Sequence, residues 1–340
     1  MQFGNVLHVH NVNEALPLAL QMLNKYGVSA SSRGMQTLRL PGPFSTVYAF
    51  PEERVLFDPI RDANPFFHLI EALWILSGSN TVQLPQHFLS SITRFSDNGK
   101  TFHGAYGHRL RNAFGFDQIE AAIRVLRDKP DSRQVVMSIW HPACDLGYNT
   151  KDTPCNDMVM LDIVDGKLNM TVCNRSNDAI WGAYGANAVQ FSILQEYMAA
   201  SIGVETGVYV QQSNNFHVYL DNPFWLKFKQ GEYEHGHIHN PYSMMVVRPW
   251  PLASDKDETR AVMADCVNLN ELAERGQQEL GYTGFVSPFF QMVVAPAIKA
   301  YEAYKRRDFS LALEYVATVS ARDWRKAMKE WIIRRQEKAA

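Results

Sequence analysis

The chain predicts an α/β (α+β) fold in which a mixed sheet packs against long buried helices, as one domain over residues 1–340. Three observations predict it. The stretches 62–78 and 187–201 read as helices that are apolar on nearly every side, which places them in the interior. Beside them lie β-prone runs at 135–140 (VVMSIW), 158–164 (MVMLDIV) and 167–174 (KLNMTVCN), the last two joined by Asp165-Gly166, a strong hairpin signal. No repeat, low-complexity tract or Pro/Gly/Ser linker divides the 340 residues.

In order along the chain, residues 13–26 (NEALPLALQMLNKY) read as a helix with Pro17 in its first turn, where the missing N–H costs little. Residues 35–58 alternate turns with strand-like pieces, MQTLRL, FSTVYAF and RVLF. In the helix at 62–78, Asn64 suits the cap, Pro65 the first helical position and Gly78 the stop. A polar loop surrounds Ser96-Asp-Asn-Gly99, and residues 117–127 look helical. After 187–201 the run VETGVYVQQS reads as a strand, and the tail from about residue 309 reads as a basic amphipathic helical extension.

Composition excludes little. With 46% hydrophobic and 20% charged residues the chain is ordinary globular material, and a net charge of -2 argues against a basic nucleic-acid binder. No apolar run reaches the roughly 18 residues of a membrane span, and the N-terminus lacks a secretory pattern. Cys144, Cys155, Cys173 and Cys266 form no metal-ligand spacing, so no metal is expected, and so few cysteines suit a reducing cytoplasm.

Several residues carry possible chemistry. Glu71 lies in the middle of an apolar helix, where desolvation raises a carboxyl pKa and suits proton shuttling, although an exposed stripe or a buried arginine partner would also explain it. Cys155, in Asp152-Thr-Pro-Cys-Asn-Asp157, is a nucleophile if a cation or donor supports its thiolate, and otherwise an ordinary buried cysteine. Arg175-Ser176, at a strand end, can fork onto a phosphate, or belong to a solvated turn. His217 and Tyr219 share one face of an extended segment and suit a sugar hydroxyl. The glycines of Trp181-Gly-Ala-Tyr-Gly-Ala-Asn187 make neither a GxGxxG motif nor a P-loop.

Taken together and in order, these segments resemble the thymidylate synthase superfamily. The resemblance is carried by HLIEALWILSGSN, His103-Gly-Ala-Tyr-Gly-His-Arg109, DSRQVVMSIWHP, the Pro-Cys at 154–155, DGKLNMTVCNRSND, WGAYGANAVQFSILQEYMA and NNFHVYLDN. It spans roughly residues 30–225 and implies a sheet-to-sheet homodimer with shared active sites. It further implies that Cys155 adds to C6 of a pyrimidine nucleotide, with Glu71 and Tyr106 moving protons. Arg33, Arg175 and Ser176 would hold the phosphate with Arg133 of the partner subunit, and Arg175 would favour the Cys155 thiolate. Asn187 would face the base, His217 and Tyr219 the sugar. Asp178 and Gly182 would line the pocket for 5,10-methylenetetrahydrofolate.

Departures from the family pattern point to a branch. Asn156 stands where synthases have His, Asn174 where they have Gln, and Gln134 where they have a second arginine. The segment before Asn187 carries one extra residue. Residues 90–97 (SSITRFSD) lack the tryptophans that shield the exocyclic methylene, and RRQEKAA does not resemble the apolar tail that closes a synthase site. A site that admits water yields a 5-hydroxymethyl product in place of methyl. The expected reaction is therefore 5-hydroxymethylation of a nucleoside monophosphate, as in the dCMP and CMP hydroxymethylases. An Asn amide can serve cytosine or uracil; the altered loop favours cytosine, and Arg133 with Ser176 resembles the deoxynucleotide pattern, which together favour dCMP. The alternatives are a thymidylate synthase, a dUMP hydroxymethylase, or an inactive nucleotide- or RNA-binding relative. No nucleic-acid or membrane partner is expected, and the location is cytoplasmic, in the host if the source is a phage.

Overall fold

A computed structural model describes residues 5–32, 34–231, 240–282 and 284–339. The chain begins with β1 (Val6–Val9), α1 (Val12–Tyr26), β2 (Val28–Ser32), β3 (Met35–Arg39) and β4 (Phe44–Tyr48). Pro17 lies within α1, past its first turn; the helix starts at Val12 behind the Asn11 cap, one residue earlier than the pattern suggests. Residues 54–57 form no strand; they run irregularly across the core, where Val55 and Phe57 are buried and the Asn13 side chain satisfies their backbone.

The helix α2 (Pro65–Ser77) has the cap and stop its sequence carries: Asn64 Oδ1 accepts from the N–H groups of Phe66 and Phe67, and Gly78 takes a left-handed φ of 76°. Then follow α3 (Gln83–Phe88), a 3₁₀ turn at Ser90–Phe95, α4 (Tyr106–Arg111), α5 (Gln118–Asp128), β5 (Val136–Ser138) and α6 (Pro142–Asp145). The hairpin comes next, β6 (Asn156–Val164) and β7 (Lys167–Asn174), with Asp165 and Gly166 both at positive φ.

The short β8 (Asn177–Asp178) leads into a π-helical segment, Ala179–Asn187, which continues as α7 (Ala188–Ile202). The extra residue before Asn187 is thus taken up as widened helical turns and not as a loop. The chain continues through β9 (Glu205–Ser213), β10 (Phe216–Tyr219), α8 (Pro223–Lys229), α9 (Lys256–Glu274), α10 (Ala295–Lys305), α11 (Phe309–Thr318) and α12 (Arg322–Ala339). The tail is two helices broken at residues 319–321, and the basic one is α12.

Six strands form one mixed sheet in the order β1-β4-β9-β7-β6-β5, and β2-β3-β10-β8 form a smaller one. The inner face of the six-stranded sheet (Val159, Leu161, Leu168, Met170, Val172, Tyr209) is covered by α7, itself buried along almost its whole length. On the opposite face Val136, Met158, Val164 and Val208 are exposed, Val136 at 54%. The polar residues of α7 each have a task. Gln195 Nε2 donates to Leu168 O at 2.8 Å, where β7 and β9 slip register, and Glu196 pairs with buried Arg54 at 2.5 Å while accepting from Leu252 N at 2.8 Å. At the other end of the chain α12 is anchored on Asp62 through Arg334 at 2.9 Å and Arg335 at 2.5 Å.

Removing one member of a buried ion pair strands the other charge, a loss of about 3–5 kcal/mol. Arg54→Ala should lower stability by that order in urea denaturation, more than any exposed pair such as Arg260–Asp257.

Candidate active site

A cleft of about 300 Å³ opens between α2, the 3₁₀ turn at 90–95, the start of α4, the segment before β6 and the π-helical segment. Its chemistry begins with the β6–β7 hairpin. From Val164↔Lys167 the strands pair residue for residue to Met158↔Cys173, and then Asn156 faces Asn174, so Asp157 is bulged out. The bulged Asp157 carbonyl accepts from both Ile139 N and Trp140 N at 2.9 Å. The result sets Cys155 beside Arg175, whose N–H donates to Cys155 O at 3.0 Å.

The Arg175 guanidinium folds back on the same segment. Its Nε donates to Pro154 O at 2.7 Å, and one terminal nitrogen donates to Thr153 O at 2.9 Å and reaches Cys155 Sγ at 3.7 Å. A permanent cation beside sulfur favours the thiolate. Tyr106, at the start of α4, lies within hydrogen-bonding reach of the Cys155 backbone and the Asn156 side chain. Burial, with the charges of Cys155 and Asp152, raises its pKa well above the usual value, so it remains a hydroxyl.

Two carboxyls face the cleft. Burial in α2 pushes Glu71 up to about 7 against the hydrogen bond from Gln190 Nε2 at 2.7 Å, and the negative charge of Asp152 adds to the rise. Burial likewise raises Asp152 to about 6, although Gly104 N–H donates to it at 2.8 Å. Asp152 opens the motif that ends in Cys155, yet its spacing alone suggested no role. Only the fold brings it to the same cleft as Glu71.

Asn187 lines the cleft at the end of the π-helical segment, and Gly182 lines it one turn earlier. A Cβ on Gly182 would stand 2.8 Å from Asn177 Oδ1, so a side chain there would push the Asn177 amide out of place. Asp178 is the cap of this segment, accepting from Ile180 N at 3.1 Å and Trp181 N at 3.2 Å; burial raises its pKa. Trp181 is exposed at the cleft, with the buried Arg61 guanidinium 4.2 Å from its ring centre. Between β7 and β8, Ser176 follows Arg175 directly. His217 and Tyr219 do lie on one face of β10, ring centres 5.1 Å apart, with His217 Nδ1 3.3 Å from Asn215 O.

Arg133 is not brought to this cleft; it lies exposed with Lys129, Ser132 and Gln134 before β5, at the edge of the six-stranded sheet. Arg33 lies outside the described residues. The 90–97 segment contributes Ile92 and Phe95 to the cleft wall, and no residue of α12 lines it.

A cysteine held by an arginine, with a tyrosine beside it and two carboxyls of raised pKa in the adjoining cleft, is an arrangement suited to nucleophilic catalysis with proton transfer. The Thymidylate synthase family matches residues 61–264, and the chain belongs to it. A deoxyuridylate hydroxymethyltransferase of Pseudomonas phage M6 is 43% identical over 97% of this chain and 94% of its own length. Proteins of the same description from Bacillus phage SP01 and Delftia phage PhiW-14 are 39% and 31% identical, over 53% and 50% of this chain. Those two alignments take in 50% of each relative. The enzyme is a one-carbon transferase acting at C5 of a pyrimidine nucleotide with 5,10-methylenetetrahydrofolate. No described helix is long and apolar enough to cross a membrane.

A carboxyl with a raised folded pKa keeps its proton where the unfolded chain has lost it, so its contribution to stability falls as pH rises from the ordinary value of 4.5 toward about 7. Glu71→Gln removes that slope. Relative to the parent, the variant should gain stability between about pH 5 and about pH 8 in urea titrations; no relative gain would mean Glu71 is ionised in the fold.

Proposed function

We propose that the enzyme converts dUMP to 5-hydroxymethyl-dUMP through a covalent Cys155 adduct. The observation that carries this reading is the match along nearly the whole chain to a phage deoxyuridylate hydroxymethyltransferase, with Cys155 and Arg175 in contact next to Tyr106, which lines the cleft. It replaces the cytosine expected from the altered loop, because the relative that matches along nearly the whole chain is described as acting on deoxyuridylate. The chain forms a single catalytic unit, and it works in the cytoplasm.

The cleft fits a folate: Trp181, Phe95 and Ile75 offer flat and apolar walls for a fused ring, and Glu71 and Asp152 offer acceptors for its N–H groups. Methylenetetrahydrofolate supplies one carbon at the oxidation level of formaldehyde. Arg175 and Ser176 hold the nucleotide phosphate with Arg33 and the partner's arginine at position 133. His217 and Tyr219 hold the sugar, Asn187 the base edge, and Asp178 shapes the folate wall through the segment it caps. Cys155 Sγ would bond to C6 and make C5 nucleophilic; C5 would take the one-carbon unit as that carbon's two C–N bonds to the folate break and its nitrogens regain protons, and C5 would lose its own proton with Tyr106, next to Cys155, assisting. Glu71, titrating near neutrality, relays protons and orients the water whose oxygen becomes the hydroxyl. The Cys155–C6 bond then breaks. The balance is dUMP, methylenetetrahydrofolate and water giving 5-hydroxymethyl-dUMP and tetrahydrofolate, with no hydride moved.

The aliphatic outer face of the six-stranded sheet supports the homodimer. Its exposed Val136, Met158 and Val208 suit a second copy packed face to face, and that dimer brings each Arg133 to its partner's site.

Incubation with methylenetetrahydrofolate and dUMP should add the mass of CH2O to the nucleotide without forming dihydrofolate. Addition of CH2 with dihydrofolate formation would mean a thymidylate synthase. Cys155→Ala should abolish turnover, and Glu71→Gln should lower kcat by about 10²–10⁴-fold with little change in dUMP affinity. Mixing inactive Cys155→Ala and Arg133→Ala subunits should restore activity, since one hybrid site holds both residues; no recovery would place Arg133 outside the site.

A further inference from the structure

Four asparagines close a ring behind the base contact. Asn174 Nδ2 donates to Asn156 Oδ1, Asn156 Nδ2 to Asn187 Oδ1 at 3.5 Å, Asn187 Nδ2 to Asn177 Oδ1 at 3.2 Å, and Asn177 Nδ2 to Asn174 Oδ1 at 3.4 Å. All four are buried, from 0% exposed at Asn156 to 5% at Asn187, and none of their amide atoms is left without a partner. Every member gives one N–H to its neighbour and takes one from the other side. A ring of this kind satisfies itself equally well with every amide turned over, because donors and acceptors exchange together.

What could fix its sense is a contact from outside that only donates or only accepts. Among the described residues, the side chains that hydrogen-bond to the ring from outside are Ser213, which accepts from Asn177 Nδ2 at 3.2 Å and lies 3.5 Å from Asn174 Oδ1, and Tyr106, beside Asn156. Both are hydroxyls, which donate or accept as needed. Turning the ring over exchanges Oδ1 and Nδ2 of Asn187, so its one spare lone pair and one spare N–H at the cleft change places. Uracil presents a donor at N3 and an acceptor at C4; cytosine presents the reverse.

We infer that the Asn156–Asn174–Asn177–Asn187 ring makes base recognition reversible, admitting uracil with one circulation and cytosine with the other. Asn156, Asn174 and Asn177 are then positioning residues that act through Asn187. The inference rests on the proposed reading of Asn187 as the base contact. A site with a fixed hydrogen-bond pattern rejects the mismatched ligand by 10⁴–10⁵-fold; this one lacks the fixed element.

Calorimetric titration of the full chain with dUMP and with dCMP tests it. The two dissociation constants should lie within about tenfold of one another, whereas a separation above about a thousandfold overturns the inference. An aspartate only accepts, so it pins the neighbouring amide. Asn177→Asp draws Asn187 Nδ2 toward position 177, and Asn156→Asp draws it toward 156. The affinity ratio of the two nucleotides should therefore move in opposite directions in the two variants, by about tenfold or more each. Asn174→Asp, across the ring from Asn187, should weaken both ligands together and leave the ratio in place. A shift of the same sign in all three is a plain charge effect and overturns the ring. Asn187→Ala separates the two readings: unchanged affinities remove Asn187 from the base site, whereas weakened binding with same-sign shifts leaves that contact standing and removes only the ring. If a buried carboxylate unfolds one variant, the parent's own ratio still decides.

Discussion

The register of the β6–β7 hairpin, together with its one bulge, is the constraint from which the site follows. A tight Asp165-Gly166 turn starts the pairing, and seven aligned pairs carry it to Met158↔Cys173. There the bulge at Asp157 shifts the count, so that Asn156 and not Asp157 meets Asn174. In a regular ladder side chains alternate faces, and a slip of one residue would send the wrong set inward. The bulge lets Cys155 and Asn156 take the site while Arg175 closes over the backbone that carries them. Three carbonyl and sulfur contacts from one guanidinium make the nucleophile segment and the end of β7 a single rigid piece.

Around that piece the interior is polar where the cleft is, and apolar elsewhere. α7 is buried on all sides, and its polar residues divide the labour. Gln195 repairs the slipped β7–β9 pairing, Glu196 holds Arg54, and Gln190 reaches Glu71. Each is a buried group with a partner, as an interior of low dielectric demands. Glu71 and Asp152 keep raised pKa values because their partners do not offset burial, as do Asp157 and Asp323 elsewhere, but only the first two line the same cleft. Such unrelieved desolvation concentrated at one cleft is characteristic of proton-transfer sites.

The helices after residue 256 frame the cleft from behind. α9 packs on α2 and α7, and α12 on α2, so they brace the helix that carries Glu71. The ion pairs from Arg334 and Arg335 to Asp62 keep the end of α12 beside the start of α2, away from the cleft lining. Access to the cleft is bounded instead by Trp181 and the Ile92–Phe95 wall.

Much of this was legible in the residues. Caps and stops that act locally were readable, as at Asn64, Pro65 and Gly78, and so was the hairpin, because turn chemistry and period-2 alternation need no distant partner. Ordered motifs identified Cys155, Arg175, Glu71, Tyr106 and Asn187 through resemblance. Local signals misled where packing overrides them: residues 54–57 have strand-like composition but are spent on the core, and Pro17 sits within a helix that starts one residue early. The sequence by itself determined most of the elements and the family. Only the tertiary structure decided which residues meet: Asp152 across from Glu71, the bulge at Asp157, and four asparagines from three strands and a π-helical segment closed into one ring. Those meetings depend on contacts between residues far apart in the chain, and no local pattern encodes such a distance.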